Sequence, residues 1–414
     1  KTSLFEQALV QDGHVPKFVP VDNGKSVSDH TPEEIGRGIS IHTALGSVLW
    51  NKTKINLLDT PGSADFVGEV VAALHVAETA IVTVGADVGV QIETAKLWRR
   101  LDSTKKPRIV FINQMDKEHA DFDKVLSDLR EKLTGNFVPI LIPIGQGSNF
   151  SGILDLLNSK TLSHTGSKEK IGEIPDDLVD VAEQFRQQLN EGAAEGNDEL
   201  MEKYLEEDSL SEDEIRSGLS ESLCKNLVVP VIAGSATLNS GLCSLLDLVQ
   251  MAAPSPLNKS SKPKEVTTKE TTAFVYKTSL DRYSGKLSWI KMMQGDLVPD
   301  SELISTRDGK KERINKLYTL QGSSLVGCSY LPEGDLGVLS KLEGVITGDS
   351  LSNQPETESS PLDLPQPIHL VSVSTASKKD EDKLGQFLSR ITEEDPTFKA
   401  RYDGETEETV ISAM

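Results

Sequence analysis

The stretch from Ile55 to Phe66, Ile-Asn-Leu-Leu-Asp-Thr-Pro-Gly-Ser-Ala-Asp-Phe, constrains the fold of this chain more than any other. Its apolar run through Ile55, Leu57 and Leu58 is cut off by Pro61 and Gly62, the pattern of a buried strand ending in a tight turn. The spacing predicts a central parallel strand that delivers the Asp59 carboxylate to its C-terminal edge, where open α/β sheets bind ligands. An apolar helix from about Val67 to Ala77 is expected to follow. A carboxylate at that edge can hold a magnesium ion. The bare backbone N–H of Gly62 can come close to a terminal phosphate, which a side chain there would hinder. On its own, Asp-x-x-Gly after a strand is more often an ordinary turn, so the reading depends on partners elsewhere in the chain.

The chain begins at Lys1-Thr2-Ser3 and runs into the amphipathic helical pattern Leu4–Val10. Lys followed by Thr at a helix N-terminus is the tail of a phosphate-binding loop, in which the ammonium reaches the outer phosphates and the hydroxyl ligates magnesium. The glycines and the strand that complete such a loop are not in this sequence, and an arbitrary chain start is the alternative. Residues 14–36 are polar, contain Pro and Gly, and read as a mobile loop. An alternating strand is then expected from Gly36-Arg37-Gly38-Ile39-Ser40-Ile41 through Trp50, forming an antiparallel hairpin with Ile55–Leu58 across Asn51–Lys54. Ser40 closes the flexible segment, and its hydroxyl can ligate magnesium when a terminal phosphate is present and leave when it is not.

Ala80–Ala86 reads as a buried strand and Gln91–Leu101 as a helix, and Pro107–Ile112 delivers Asn113-Gln114-Met115-Asp116 to a strand end. A carboxylate there can accept both N–H groups of a guanine edge, while the Asn braces the loop. Adenine presents an acceptor instead and would leave the buried acid unpaired. A strand followed by an ordinary polar turn is the alternative. A further strand, Leu227–Gly234, ends in Ser235-Ala236-Thr237, whose backbone can seal a base pocket. Helical stretches between these strands favour a parallel sheet. Between Gly145 and Leu223 the pattern is interrupted. Ile153–Leu157 looks helical, and residues 167–220 are acidic with amphipathic spacing at Leu178, Val181, Phe185, Leu189, Leu200, Tyr204 and Leu205. This charge is most simply a solvated face, with docking of a basic protein as the sharper alternative.

Pro254-Ser255-Pro256 and the Lys/Ser/Thr-rich stretch to Lys269 read as a linker. Short strands at Thr272–Tyr276, Gly285–Met292, Glu302–Thr306, Gly337–Leu339 and Ser350–Leu351 indicate an all-β barrel. A second, proline-containing linker, Asn353–Pro367, precedes a β-α-β-β pattern that runs to Met414 and is expected to stop before its own core is complete. The formal charge of -21, from 43 basic and 64 acidic residues, argues against non-specific nucleic-acid binding through bulk charge, though not against docking by a local basic face. Cys224, Cys243 and Cys328 have neither metal-ligand nor disulfide spacing, as expected in a reducing cytosol. No apolar run reaches the about 18 residues of a membrane span.

Together Lys1-Thr2, Arg37-Gly38-Ile39-Ser40-Ile41, Asp59-Thr60-Pro61-Gly62, Asn113-Gln114-Met115-Asp116 and Ser235-Ala236 resemble, in order and spacing, a translational GTPase of the bacterial elongation factor G kind. Pro254-Ser255-Pro256-Leu257, Gly285 to Gly295, Gly348-Asp349-Ser350-Leu351 and Arg390–Phe398 extend the resemblance over essentially the whole chain. It implies a multidomain α/β protein. Residues 1–260 would form a P-loop GTPase domain with an inserted α-rich subdomain at about 146–223. An EF-Tu-like β-barrel at 268–355 and the start of a ferredoxin-like α+β domain at 366–414 would follow, with the family's remaining domains falling after Met414.

Carried over residue by residue, the resemblance implies GTP or GDP held by Lys1, Thr2, Ser3, Asp59, Thr60, Pro61, Gly62 and Ser63, with Thr2, Ser40 and Asp59 at magnesium. Asn113, Gln114, Met115, Asp116, Ser235, Ala236 and Thr237 would surround the base. It also implies a cytoplasmic monomer that partners the ribosome through ribosomal RNA and proteins. Two departures stand out. Ser63 takes the place of the family's catalytic His, and a serine is too short to reach the attacking water and cannot carry an imidazole's proton. Gln114 replaces a Lys whose stem covers the base, which is expected to lower nucleotide affinity. Two readings follow: a GTPase driving a ribosomal step such as translocation, or a GTP-dependent ribosome-binding regulator or protection factor with little turnover. A fragment that binds no nucleotide is the third, blander possibility.

Overall fold

The computed structural model describes residues 1–165, 168–259, 270–281, 283–354, 361–375 and 378–414. Both expected linkers fall partly on 260–269 and 355–360, outside the described residues. The chain forms two compact units. One comprises Lys1–Val21, Val48–Ile55 and Glu78–Pro254; the other comprises Asp22–Ser47, Asn56–Ala77 and Ser255–Met414.

Helix α1 (Thr2–Gln11) buries Leu4, Phe5, Ala8 and Leu9 along one stripe. The segment read as a mobile loop contains a 3-10 turn, Val21–Asn23, and helix α2 (Pro32–Arg37). Thr31 and Glu34 form a reciprocal capping box with Pro32 in the first turn, and Gly38, at φ 65°, ends the helix. The strand expected from Gly36 therefore begins only at Ala44. Strands β1 (Ala44–Trp50) and β2 (Thr53–Asp59) pair as a hairpin. It turns at Asn51 and Lys52, whose φ values of 45° and 69° suit a type I′ turn. Among the described residues β2 pairs with β1 alone, which corrects its reading as a central parallel strand. Its apolar side chain Leu58 packs instead with Leu45, Phe274, Tyr276 and Trp289 in the second unit. Helix α3 (Val67–Val76) follows as expected.

The sheet of the first unit is built from β3 (Ala80–Gly85), α4 (Ile92–Ser103), β4 (Arg108–Asn113), α5 (Phe122–Lys132) and β5 (Asn136–Ile144). Three short strands come next, β6 (Gly152–Asp155), β7 (Lys160–Thr165) and β8 (Lys168–Gly172). Helices α6 (Val179–Ala194), α7 (Asp198–Glu207) and α8 (Glu212–Cys224) lead to β9 (Val228–Ala233) and α9 (Leu242–Ala252). The strand order is β3-β4-β9-β5-β6-β7-β8, parallel from β3 to β5 and antiparallel beyond. Ile109–Ile112 are wholly buried, as a parallel strand covered on both faces requires. Ile153–Leu157, read as helical, lies in β6 and the turn after it; four apolar residues are too few for periodicity to separate the two forms. The insert thus begins as an antiparallel extension of the sheet and only then becomes helical. Its buried stripe matches the expected one only in part: Leu189 and Tyr204 are buried as expected, but Val181 and Leu205 are exposed, and Ala182 and Ala193 face inward. Small residues allow this close packing, since a Cβ on Gly192 would lie 2.8 Å from Val138 Cγ2.

The second unit is dominated by β10 (Thr272–Asp281), β11 (Gly285–Gln294), β12 (Ser301–Ser305), β13 (Lys311–Ile314), β14 (Leu317–Gln321), β15 (Ser324–Cys328), β16 (Leu336–Ser340) and β17 (Ser350–Ser352). They form one antiparallel sheet, β13-β12-β17-β10-β11-β16-β14-β15. It rolls around a core to which both ends contribute, including Ala273, Val275, Ile290, Leu303, Ile314, Leu317 and Leu339. Strands β13 to β15 were not anticipated from the sequence. Three lysines are buried on β10 and β11: Lys277 at 6%, Lys286 at 3% and Lys291 at 5% exposure. Lys286 pairs with Glu393 and donates to the Glu343 carbonyl. Strand β18 (His369–Val373), helix α10 (Lys378–Glu394), β19 (Lys399–Asp403) and β20 (Glu408–Ala413) complete the unit as the expected β-α-β-β pattern, in sheet order β18-β20-β19.

Candidate functional site

In the first unit, β4, β9 and β5 bring three loops together at their carboxyl ends. Asn113 closes β4, and its main-chain carbonyl accepts the Ala86 N–H at 2.9 Å. Its side-chain Oδ1 accepts the Ala236 N–H at 2.9 Å, tying the loop after β4 to the loop after β9. Gln114 takes a left-handed φ of 69°. The fully buried Met115 donates its N–H to Gly234 O at 3.1 Å and accepts from Gly147 N–H at 2.9 Å. Rigid backbone on three sides therefore aims Asp116. Its Oδ2 lies 3.4 Å from Thr237 Oγ1, whereas Oδ1 is buried with no hydrogen-bond partner among the described residues. Ser235 exchanges backbone hydrogen bonds with Ser240, and its Oγ sits 3.0 Å from Thr237 Oγ1.

A buried carboxylate oxygen left open costs free energy unless a donor arrives. A planar edge with two adjacent N–H groups is the partner that a carboxylate satisfies best. The sequence reading missed the ion pair between Lys117 and Asp87, at 3.2 Å, and the role of Gly147. A Cβ on Gly147 would stand 3.1 Å from Glu118 O, so glycine is the residue that fits behind the Asp116 loop. Lys1, Thr2 and Ser3 stand at the start of α1, where Lys1 O accepts the Leu4 and Phe5 N–H groups at 2.8 and 3.1 Å.

Ser40 and the turn from Asp59 to Ser63 belong to the second unit. Glu34 orders the segment that carries Ser40: while Oε2 closes the capping box, Oε1 accepts the N–H groups of Ile41 and His42, each at 3.0 Å. Burial opposes ionisation of Glu34, but these backbone donors outweigh it and hold the carboxyl below its ordinary value. Asp59 is 6% exposed at the end of β2, and Gly62 is exposed. Ser63 caps the 3-10 turn Ala64–Phe66, its Oγ accepting the Asp65 N–H at 3.5 Å. Hydroxyl and carboxylate oxygens of this kind suit a hard cation such as magnesium. Among the described residues no group of three or more His, Cys, Asp or Glu side chains forms a metal cage.

A mixed sheet whose strands β3, β4, β9 and β5 run parallel with helices between them, carrying an unpartnered carboxylate oxygen over a braced Asn-x-x-Asp loop, defines an α/β nucleotide-binding domain of the GTPase class. The model of the elongation factor Tu GTP binding domain matches residues 1–255, and that of elongation factor G domain III matches residues 364–414. Over its whole length the chain is 36% identical to elongation factor G of Thermotoga neapolitana and 35% identical to that of Thermotoga maritima, covering 62% of each. A crystal structure of a Thermus thermophilus protein superposes on the entire chain with a TM-score of 0.91 at 29% identity, over 61% of that protein. The chain belongs to the translational GTPases, of the elongation factor G type. It spans about three-fifths of the length of these relatives.

Proposed function

We propose that this chain acts within a translation factor of the elongation factor G type that binds GTP, engages the ribosome and hydrolyses GTP to drive a conformational step such as translocation. The observation that carries the nucleotide reading is the open Asp116 Oδ1 beside the Asn113–Ala236 brace. In this reading Asp116 accepts the two guanine N–H groups, Ser235, Ala236 and Thr237 wall the base, and Gln114 and Met115 shape the loop. Lys1, Thr2 and Ser3 hold the phosphates, Thr60 and Pro61 shape the turn, and the Gly62 N–H meets the terminal phosphate. Thr2, Ser40 and Asp59 would hold magnesium, which when bound neutralises charge on the outer phosphates. We assign residues 1–260 to the nucleotide domain with its insert at about 146–223, 268–355 to the barrel and 366–414 to the third domain. The two compact units divide the chain differently, placing Asn56–Ala77 with the barrel.

A second reading is favoured by Ser63. Its hydroxyl caps a turn and has no group that could take a proton from water at neutral pH. The protein would then be a GTP-dependent ribosome-binding regulator with little turnover. Among the described residues no helix is long and apolar enough to cross a membrane. The test is binding of a fluorescent GTP analogue and of GDP to the full-length protein with magnesium, followed by phosphate release with and without ribosomes. Saturable guanine-specific binding with ribosome-stimulated release supports the first reading. Binding without release, restored severalfold by Ser63→His, supports the second. No binding refutes both.

A further inference from the structure

Glu69, in the first turn of α3, gathers groups from three segments of the second unit. The Thr43 N–H donates to Oε2 at 2.7 Å, the Lys277 ammonium donates to the same oxygen at 2.8 Å, and His42 Nδ1 lies 3.8 Å from Oε1. The same ammonium reaches Thr43 O at 3.3 Å and stands 5.0 Å from the Trp289 ring centroid. Side-chain exposure is 8% for Lys277 and 20% for Glu69.

Lys277 arrives there through a bulge. On β10, Ala273 and Val275 face the barrel core, while Phe274 and Tyr276 face outward. Strict alternation would send Lys277 into the apolar core. The register shift between Val275 and Lys277 turns it outward to meet α3. The far end of α3 is also fastened, because Lys291 Nζ donates to Val76 O and Val76 packs with Phe274, Tyr276 and Trp289. Before the Asp59 turn, Leu58 packs on that same cluster and Asn56 Nδ2 donates to Asp335 Oδ1 at 2.8 Å. The turn from Asp59 to Phe66 is thus suspended between two ends anchored on the barrel, and the Ser40 segment is fastened to the same place at Thr43.

We infer that Lys277 and Glu69 are positioning residues: they hold the Ser40 segment, α3 and the barrel as one assembly, so that ordering of Ser40 and Gly62 around a terminal phosphate passes into β10 instead of being absorbed in α3. The inference rests on the nucleotide reading above. Removing one partner leaves a largely buried charge, so the informative variant is the double replacement Glu69→Gln/Lys277→Met, which keeps volume and removes both charges. Lys277→Arg keeps the charge.

Hydrogen exchange is followed in full-length protein with GDP and with a non-hydrolysable GTP analogue, together with phosphate release on ribosomes. In wild type the analogue slows exchange over residues 40–43 and 59–70 and also over 272–281. In the double variant the analogue binds within about threefold of wild type, protection over 272–281 disappears, and kcat falls about tenfold with KM unchanged, a coupling loss of the size such junctions carry. Lys277→Arg retains both readouts at the wild-type level. Undiminished protection over 272–281 in the double variant overturns the inference, as does loss of kcat that merely follows a lowered melting temperature. Failure of wild type to bind GTP defeats the nucleotide reading and this inference with it; binding with wild-type behaviour in the variants defeats only this one.

Discussion

Replacing Asp116 with Asn tests the site at the atom that defines it. In the proposed reading two charge-assisted hydrogen bonds to a guanine edge contribute about 1.5–3 kcal/mol each, one of them to the buried Oδ1, which has no partner among the described residues. In the variant one amide oxygen still accepts from the ring N1–H, but the amide NH2 faces the guanine 2-amino group, donor against donor. A loss of about 3–4 kcal/mol follows, or about two to three powers of ten in GTP affinity. Xanthine carries a carbonyl where guanine carries the amine, so the Asn amide can donate to it and the preference should invert. The assay is competition of GTP, XTP and ATP for a fluorescent GTP analogue bound to wild type, and for its xanthine counterpart bound to the variant. A GTP affinity lowered less than about threefold, with no gain for XTP, would refute the assignment of Asp116 to the base edge.

Asn113→Ala should lower both stability and GTP affinity, since the Ala236 N–H would lose its acceptor at about 1–3 kcal/mol; urea unfolding together with nucleotide titration checks this, and unchanged midpoints would count against the brace. Glu69 gives a pH dependence. Burial opposes its ionisation, but Lys277 and His42 outweigh it and hold its carboxyl well below the ordinary value. Its stabilising contribution is therefore fully present above about pH 4.5 and is lost as pH falls below that. The double variant Glu69→Gln/Lys277→Met should show a flatter melting temperature between about pH 5 and pH 3 than wild type, and parallel curves would contradict the pairing.

The loop from Asn113 to Asp116 was legible as a strand-end loop because its pattern is local: a buried strand, then two polar side chains three residues apart. The bracing role of Asn113 was expected, but its partner, the Ala236 N–H 123 residues away, could not be read. Helix α2 was overlooked although Thr31-Pro32-Glu33-Glu34 carries a start signal, because Gly36 and Gly38 so close behind it suggested a loop. The strand periodicity of β2 and its hairpin with β1 were read correctly, but its place as a central parallel strand was not, since burial on a sheet face and burial against a barrel leave the same apolar pattern. Strands β13 to β15, four or five residues each with charged and exposed positions, lie below the length at which alternation is distinctive. Glu69 and Lys277 were invisible as partners. An acid on a helix and a base on a strand look like solvated surface until a bulge brings them together.

Lysines usually coat a protein, and amine-reactive reagents normally find them first. Lys277, Lys286 and Lys291 reverse that expectation, because each ammonium is sheltered against a carbonyl or carboxylate of a neighbouring element. In the packed second unit these three amines would be the last to acylate, well after exposed residues such as Lys311. Mass spectrometry of a short acylation pulse would then turn them into three built-in reporters, one for each place where the barrel grips a neighbour. Lys277 would register release of Glu69, Lys291 release of the α3 C-terminus and Lys286 release of α10.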